Sequence, residues 1–216
     1  MPSSETVIPP HSEVSTTRNM YRTLSDYLAE SSALLTSASA AVDQDTINST
    51  VTAIVQALSA GKALLVCGNG GSACDAMHIT GELVARFLQE RRALRAICLS
   101  SNAAVLTAWS NDYSYESAFA RQVEAYGEEG AVILGISTSG NSKNVLAAFE
   151  KAREMRMVVI ALTGEAGGRM APLADHLLAV PSRNTPLIQQ VHLCIYHYLC
   201  QQIEQGMIRG DSAADT

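Results

Sequence analysis

The chain has 216 residues and a formal net charge of −6, with 47% hydrophobic and 17% charged residues. That length fits one domain with a sizeable core, and the acidic balance argues against a nucleic-acid partner, which calls for a basic face. No apolar run reaches the roughly 18–20 residues that cross a bilayer, so no membrane partner is expected.

Residues 1–16 are polar and carry Pro2, Pro9 and Pro10. They do not read as a secretory signal and are expected to form a disordered tail ahead of a single domain over 17–216. A helix follows from Tyr21 to about Val42, with Leu24, Tyr27, Leu28, Leu34 and Leu35 near helical spacing. After Asp43-Gln-Asp45 a second helix runs to about Ala60, stopped by Gly61. Short apolar runs at 63–67, 95–99, 131–136, 157–162 and 176–180 then read as strands. Helical stretches at about 72–88, 103–125 (in two pieces) and 142–155 separate most of them, and a last helix spans about 186–207. Strands buried on both faces and alternating with helices imply a doubly wound, five-stranded parallel sheet, an α/β three-layer αβα sandwich. The five cysteines form no CxxC pair, which fits a reduced cytoplasmic protein with mostly buried thiols.

Two strand-to-helix junctions carry the chemistry, and both fall at the carboxyl ends of strands, where such sheets bind ligands. Gly68-Asn69-Gly70-Gly71-Ser72 lets the backbone turn sharply or approach a ligand, and the helix behind it presents free amides. The spacing loosely matches a dinucleotide fingerprint, but the next strand ends in Leu99-Ser-Ser-Asn102 without the acidic residue that holds a ribose. Ser137-Thr138-Ser139-Gly140-Asn141-Ser142 is the richer anion loop, since hydroxyls and amides together can surround a phosphate. Ser142 or Asn141 could also serve simply as a helix cap. Gly135 to Lys143 narrowly misses a Walker A loop because the lysine is out of place.

On the helix after the first loop, His78 and Glu82 differ by about 40° around the axis and about 6 Å along it, so they can share a metal or flank one substrate carbon. Gln189 and His197 on the last helix differ by about 80° and about 12 Å, at the limit of reach for one ion. His192 points about 140° away from His197 and should serve another environment. This donor set suits a borderline metal, zinc first, although HExxH spacing is absent.

The same residues resemble the phosphoheptose isomerases, a branch of the sugar isomerase (SIS) domain proteins. The matching motifs are Gly68–Ser72 with Asp75, His78, Glu82, Arg86 and Phe87; Asn111-Asp112-Tyr113; Ser137–Ser142; Leu162-Thr-Gly164; and Thr185-Pro with Ile188, Gln189, His192 and His197. They occur in the family's order across about residues 20–207. The resemblance implies conversion of sedoheptulose 7-phosphate to D-glycero-D-manno-heptose 7-phosphate, the first step toward activated heptose for surface polysaccharide. It further implies a cytoplasmic homotetramer with active sites between subunits. One Zn2+ per subunit is expected at His78, Glu82, Gln189 and His197. The phosphate is expected at Ser137, Thr138, Ser139 and Ser142, with the sugar at Asn69, Gly70, Gly71, Ser72, Glu82, Asn111, Asp112 and Gln189. Glu82 is the expected base and His197 its acid/base partner. Gly81 and Gln190 depart from the family, where a second acidic residue often stands. The rival reading is a non-catalytic SIS protein, a sugar-phosphate sensor or protein-binding scaffold; relatives of that kind lack the acid/base residues that Glu82 and His197 supply here.

Overall fold

The computed structural model describes residues 21–214; the expected tail over 1–16 lies outside them. The chain begins with two helices, α1 (Leu24–Ala41) and α2 (Gln44–Ser59). Each starts on a side-chain cap: Thr23 accepts from the Asp26 amide and Asp43 from the Thr46 amide. Strands β1 (Leu64–Gly68), β2 (Ala96–Cys98), β3 (Val132–Ser137), β4 (Val158–Thr163) and β5 (His176–Ala179) form one parallel sheet in the order β2-β1-β3-β4-β5. Every residue of β1 and β3 is buried, as their unbroken apolar runs require.

Five further helices complete the layers: α3 (Gly71–Val84), α4 (Ala103–Asp112), α5 (Ala118–Tyr126), α6 (Lys143–Glu154) and α7 (Thr185–Ala214). On one face of the sheet, α2, α3 and α7 pack through Ile54, Ile79, Leu83, Tyr196 and Ile203 against Leu64, Val66 and Leu134. On the other, α5 and α6 pack through Phe119, Val123, Val145 and Phe149 against Leu65, Ile133 and Val159. The result is the expected three-layer sandwich.

Three boundaries differ from the periodicity. The helix expected over 72–88 stops at Val84, because the amides of Phe87, Leu88 and Gln89 bond to the Glu204 carboxylate instead of continuing the helix. The stretch 103–125 does break in two, around a 3-10 turn at Tyr115–Ser117 that Ser114 caps. The last helix continues past Met207 to Ala214. The thiols also differ: all five are free, but Cys74 and Cys194 are exposed, so burial is not their common feature.

Helix α1 leaves apolar residues uncovered, and α4 covers its own only in part. On α1, Leu24 is 72% and Leu28 55% exposed, although their spacing is that of a buried stripe. The sequence of α4 is AAVLTAWSND, yet none of its residues is buried.

Candidate active site

The first loop folds as a sharp turn from β1 into α3. Gly70 occupies a positive φ of 56° at the helix start, where a side chain is strained. Gly71 has a different reason to lack one: a Cβ there would lie 2.4 Å from the Gln189 amide nitrogen. The turn therefore admits Gln189 from α7 against the backbone. Ser72 is buried in the first turn of α3, and Asn69 exchanges side-chain hydrogen bonds with Asn144 at 2.8 and 2.9 Å while accepting one from Tyr115 at 2.7 Å. That pair ties the first loop to the helix behind the second.

One turn apart on α3, His78 Nε2 and Glu82 Oε1 approach to 3.1 Å. From α7, His197 sets its ring edge-on to His78 with centroids 5.0 Å apart, and one ligand atom from each of the three residues falls within 4.8 Å of the others. The other ring nitrogen of His78, Nδ1, lies 3.0 Å from the Tyr196 hydroxyl, which reaches Asp75 Oδ1 at 3.5 Å. Burial, aided by the neighbouring Asp75, pushes the Tyr196 hydroxyl well above its ordinary range, so it keeps its proton. Burial likewise raises the Asp75 carboxyl. The Tyr196 hydroxyl thus stands between His78 Nδ1 and Asp75 Oδ1, nearer the imidazole, and orients the ring that presents Nε2 to Glu82. His78 Nε2, Glu82 Oε1 and the nearby His197 together offer ligand atoms from three side chains to one point. Two imidazoles and a carboxylate fit a divalent ion of borderline softness. Gln189 lies against Gly71 toward the glycine turn, in keeping with its rise of about 12 Å along α7 from His197.

The second loop leaves β3 and enters α6. Ser142 stands at the cap position, yet its hydroxyl does not cap the helix. It meets Ser137 Oγ at 2.8 Å, and Ser139 Oγ lies 3.4 Å from Ser137 on the other side. Three hydroxyls thus converge in front of the first turn of α6, an arrangement that can receive an oxyanion. Thr138 Oγ1 is 3.4 Å from Thr185 Oγ1 on α7, and Thr138, Ser139 and Thr185 line a cleft of about 500 Å³ with Glu165 and Arg183. Gly140, at φ +65°, packs so tightly on the 164–168 loop that a Cβ would lie 2.0 Å from the Gly167 carbonyl oxygen.

A family model described as SIS domain matches residues 26–164. The phosphoheptose isomerase of Helicobacter pylori (strain P12) is 49% identical over 162 residues, 75% of this chain and 84% of that protein. That of Bradyrhizobium sp. (strain ORS 278) is 48% identical over 189 residues, 86% of this chain and 94% of that protein. The chain belongs to the phosphoheptose isomerase family of SIS-domain proteins. Among solved structures, a phosphoheptose isomerase from Francisella tularensis superposes with a TM-score of 0.81 at 39% identity, covering 84% of this chain and 96% of that one. Phosphoheptose isomerase GmhA from Neisseria gonorrhoeae gives 0.79 at 37% identity, with 84% and 97% covered.

The family's expected site residues fall into four groups here. His78, Glu82 and His197 meet at one point, and Ser137, Ser139 and Ser142 at another. Thr138, Asn69, Gly70, Gly71 and Gln189 lie around and between them on the two loops and α7. Asn111 and Asp112 do not join either cluster in this chain: both are exposed at the end of α4, bonded to each other, and Asp112 borders a separate hollow with Trp109, Tyr113 and Arg121. His192 serves another environment, as its direction predicts: it is fully buried and bonds the Thr163 carbonyl at 3.0 Å. Tyr196 was not marked as functional by the sequence, because its link to Asp75 and His78 spans about a hundred and twenty positions.

Proposed function

We propose that this protein isomerises sedoheptulose 7-phosphate to D-glycero-D-manno-heptose 7-phosphate. The observation that carries the reading is the meeting of His78, Glu82 and His197, in a chain of this family whose second loop brings three hydroxyls together. The phosphate sits on Ser137, Thr138, Ser139 and Ser142. The sugar chain runs past Asn69, Gly70, Gly71, Ser72 and Gln189 toward Glu82.

Glu82 takes the C1 proton of the open-chain ketose. The C–H electron pair becomes the C1–C2 double bond, and the carbonyl oxygen at C2 accepts a proton from His197. The resulting enediol then gives its O1 proton back to His197. As the C1 carbonyl forms, the double-bond pair takes the proton from Glu82 at C2. Groups placed this way each contribute about 10²–10⁴-fold. His78, Glu82, Gln189 and His197 would hold a zinc ion, which would supply Lewis acidity toward the developing charge on the sugar oxygens. The exposed leucines of α1 and the half-buried apolar residues of α4 support a homotetramer in which Asn111 and Asp112 reach the sugar of a neighbouring subunit. The free thiols fit the cytoplasm, and no described helix is long and apolar enough to cross a membrane.

The test is an assay of purified protein with sedoheptulose 7-phosphate, before and after a chelator and with zinc restored. Aldose phosphate should form, fall on chelation and recover with zinc. Glu82→Gln should remain folded and bind sugar phosphate while turnover falls by about 10²–10⁴-fold. No aldose under any condition overturns the activity, and an undiminished Glu82→Gln overturns the base.

A further inference from the structure

Between α3 and β2 the chain crosses α7, and a buried ion pair fixes that crossing. Glu204 and Arg91 each have side chains only 1% exposed, with Arg91 Nε 3.5 Å from Glu204 Oε1. Glu204 Oε1 accepts the Phe87 amide at 3.0 Å, and Oε2 accepts those of Leu88 and Gln89 at 2.9 Å each. Arg91 reaches back to α3: one terminal nitrogen donates to the Glu82 carbonyl at 2.8 Å, the other to the Ala85 and Arg92 carbonyls at 3.0 Å each. Together the pair closes the C-terminal turn of α3, the turn that carries Glu82.

The other end of this strap is His197. Glu204 follows His197 by seven residues, so both lie within about 20° on one face of α7. Phe87, whose amide Glu204 holds, lays its ring over the His197 imidazole at 5.6 Å between centroids with planes 34° apart. Packing α3 onto α7 does not itself require these polar ties, because Ala76, Ile79 and Leu83 already meet Tyr196, Leu199 and Cys200 in the core. The ion pair instead sets the phase of the last turn of α3 and the seat of the ring over His197.

We propose that Glu204 and Arg91 are positioning residues for the isomerisation, holding Glu82 through the end of α3 and His197 through Phe87. The role rests on the activity proposed above. In Glu204→Gln, one carboxylate oxygen becomes an NH₂ group that faces amide donors, so at least one of the three backbone bonds is lost. In Arg91→Lys, the planar fork spanning the Glu82 and Ala85 carbonyls is lost.

The experiment measures kcat and KM for sedoheptulose 7-phosphate in the wild type, Glu204→Gln, Arg91→Lys and a control, Glu128→Gln. The control breaks exposed pairs to Lys62 and Arg95 away from the site. Amide hydrogen exchange over 85–91 is followed in parallel. Both strap variants should lose about tenfold in kcat with KM within twofold, and Glu204→Gln should exchange at 87–89 at least tenfold faster; the control should change neither. Arg91→Lys carries the test if Glu204→Gln does not fold. Folded strap variants that melt earlier at unchanged kcat give the ion pair a structural role only and overturn the proposal. An inactive wild type overturns instead the activity on which it rests.

Discussion

Gly140→Ala probes whether the hydroxyl loop is held by backbone contact with its neighbour. Gly140 adopts φ +65°, and its added Cβ would meet the Gly167 carbonyl oxygen at 2.0 Å and the Gly168 nitrogen at 2.8 Å. Both obstacles are backbone, and the Gly140 carbonyl is itself bonded to the Met170 amide at 3.0 Å, so neither loop can retreat without breaking the other. Left-handed strain costs about 1–2 kcal/mol and overpacking about 1–3 kcal/mol. At the low end, about 2 kcal/mol taken from the binding-competent loop raises KM about thirtyfold. The value of kcat should change little, because Glu82 and His197 stand on α3 and α7. Gly130→Ala is the control: it shares the positive φ, +79°, but meets nothing within 4 Å, so strain alone lowers its stability with KM unchanged. Steady-state kinetics and urea unfolding of both variants check this. A KM within twofold of wild type in Gly140→Ala refutes the reasoning.

Gly71→Ala pushes the Gln189 side chain off the glycine turn, and because that side chain can swing away the protein should fold; zinc retention against a competing chelator should weaken about tenfold, within the range for groups that orient a metal site, and unaltered retention removes Gln189 from the metal set. Burial lowers the His192 pKa from 6.5 to about 4, only partly offset by its bond to the Thr163 carbonyl. As pH falls below 6.5 the unfolded chain therefore takes up a proton that the folded one refuses, and stability declines until about pH 4, by about 2 kcal/mol between pH 7.5 and 5.0. Urea unfolding at those two pH values should show a shallower decline in His192→Gln, and an identical slope contradicts the assignment. Leu28→Glu, placing a carboxylate on the uncovered stripe of α1, should reduce the native mass seen by light scattering from that of the proposed tetramer to smaller species; an unchanged tetrameric mass moves the interface elsewhere.

The layers of this fold were legible because the strands are short, mostly apolar runs and some helix ends fall on recognisable residues: Asp43 caps α2 and Gly61 ends its turn at φ +74°. The pairing of His78 with Glu82 followed from helical geometry, and so did the separation of His192 from His197. What the sequence could not show were the partners that join distant segments. Glu204 looks like one more polar residue of α7, and only its three amides from 87–89 reveal why α3 stops where it does. The Asn69–Asn144 pair is equally silent, since neither residue marks a bond 75 positions away. The apolar residues of α4 read as an ordinary packed helix, yet Val105, Leu106 and Trp109 are only half-buried, and Asn111 and Asp112 at its end bond each other rather than join the site.

Helix α7 touches the site at four depths: Thr185 at the hydroxyl loop, Gln189 at the glycine turn, His197 beside His78, and Glu204 under the strap. The pocket is thus indexed on one rod, and its tolerances differ by kind of change. A substitution alters one depth. A single residue inserted between Gln189 and His197 would advance everything beyond it by about 1.5 Å and rotate it by about 100°, taking His197, its neighbour Tyr196 and Glu204 out of register together while leaving the anion end intact. The residue count along this helix is therefore as much a part of the site as the identity of any side chain on it.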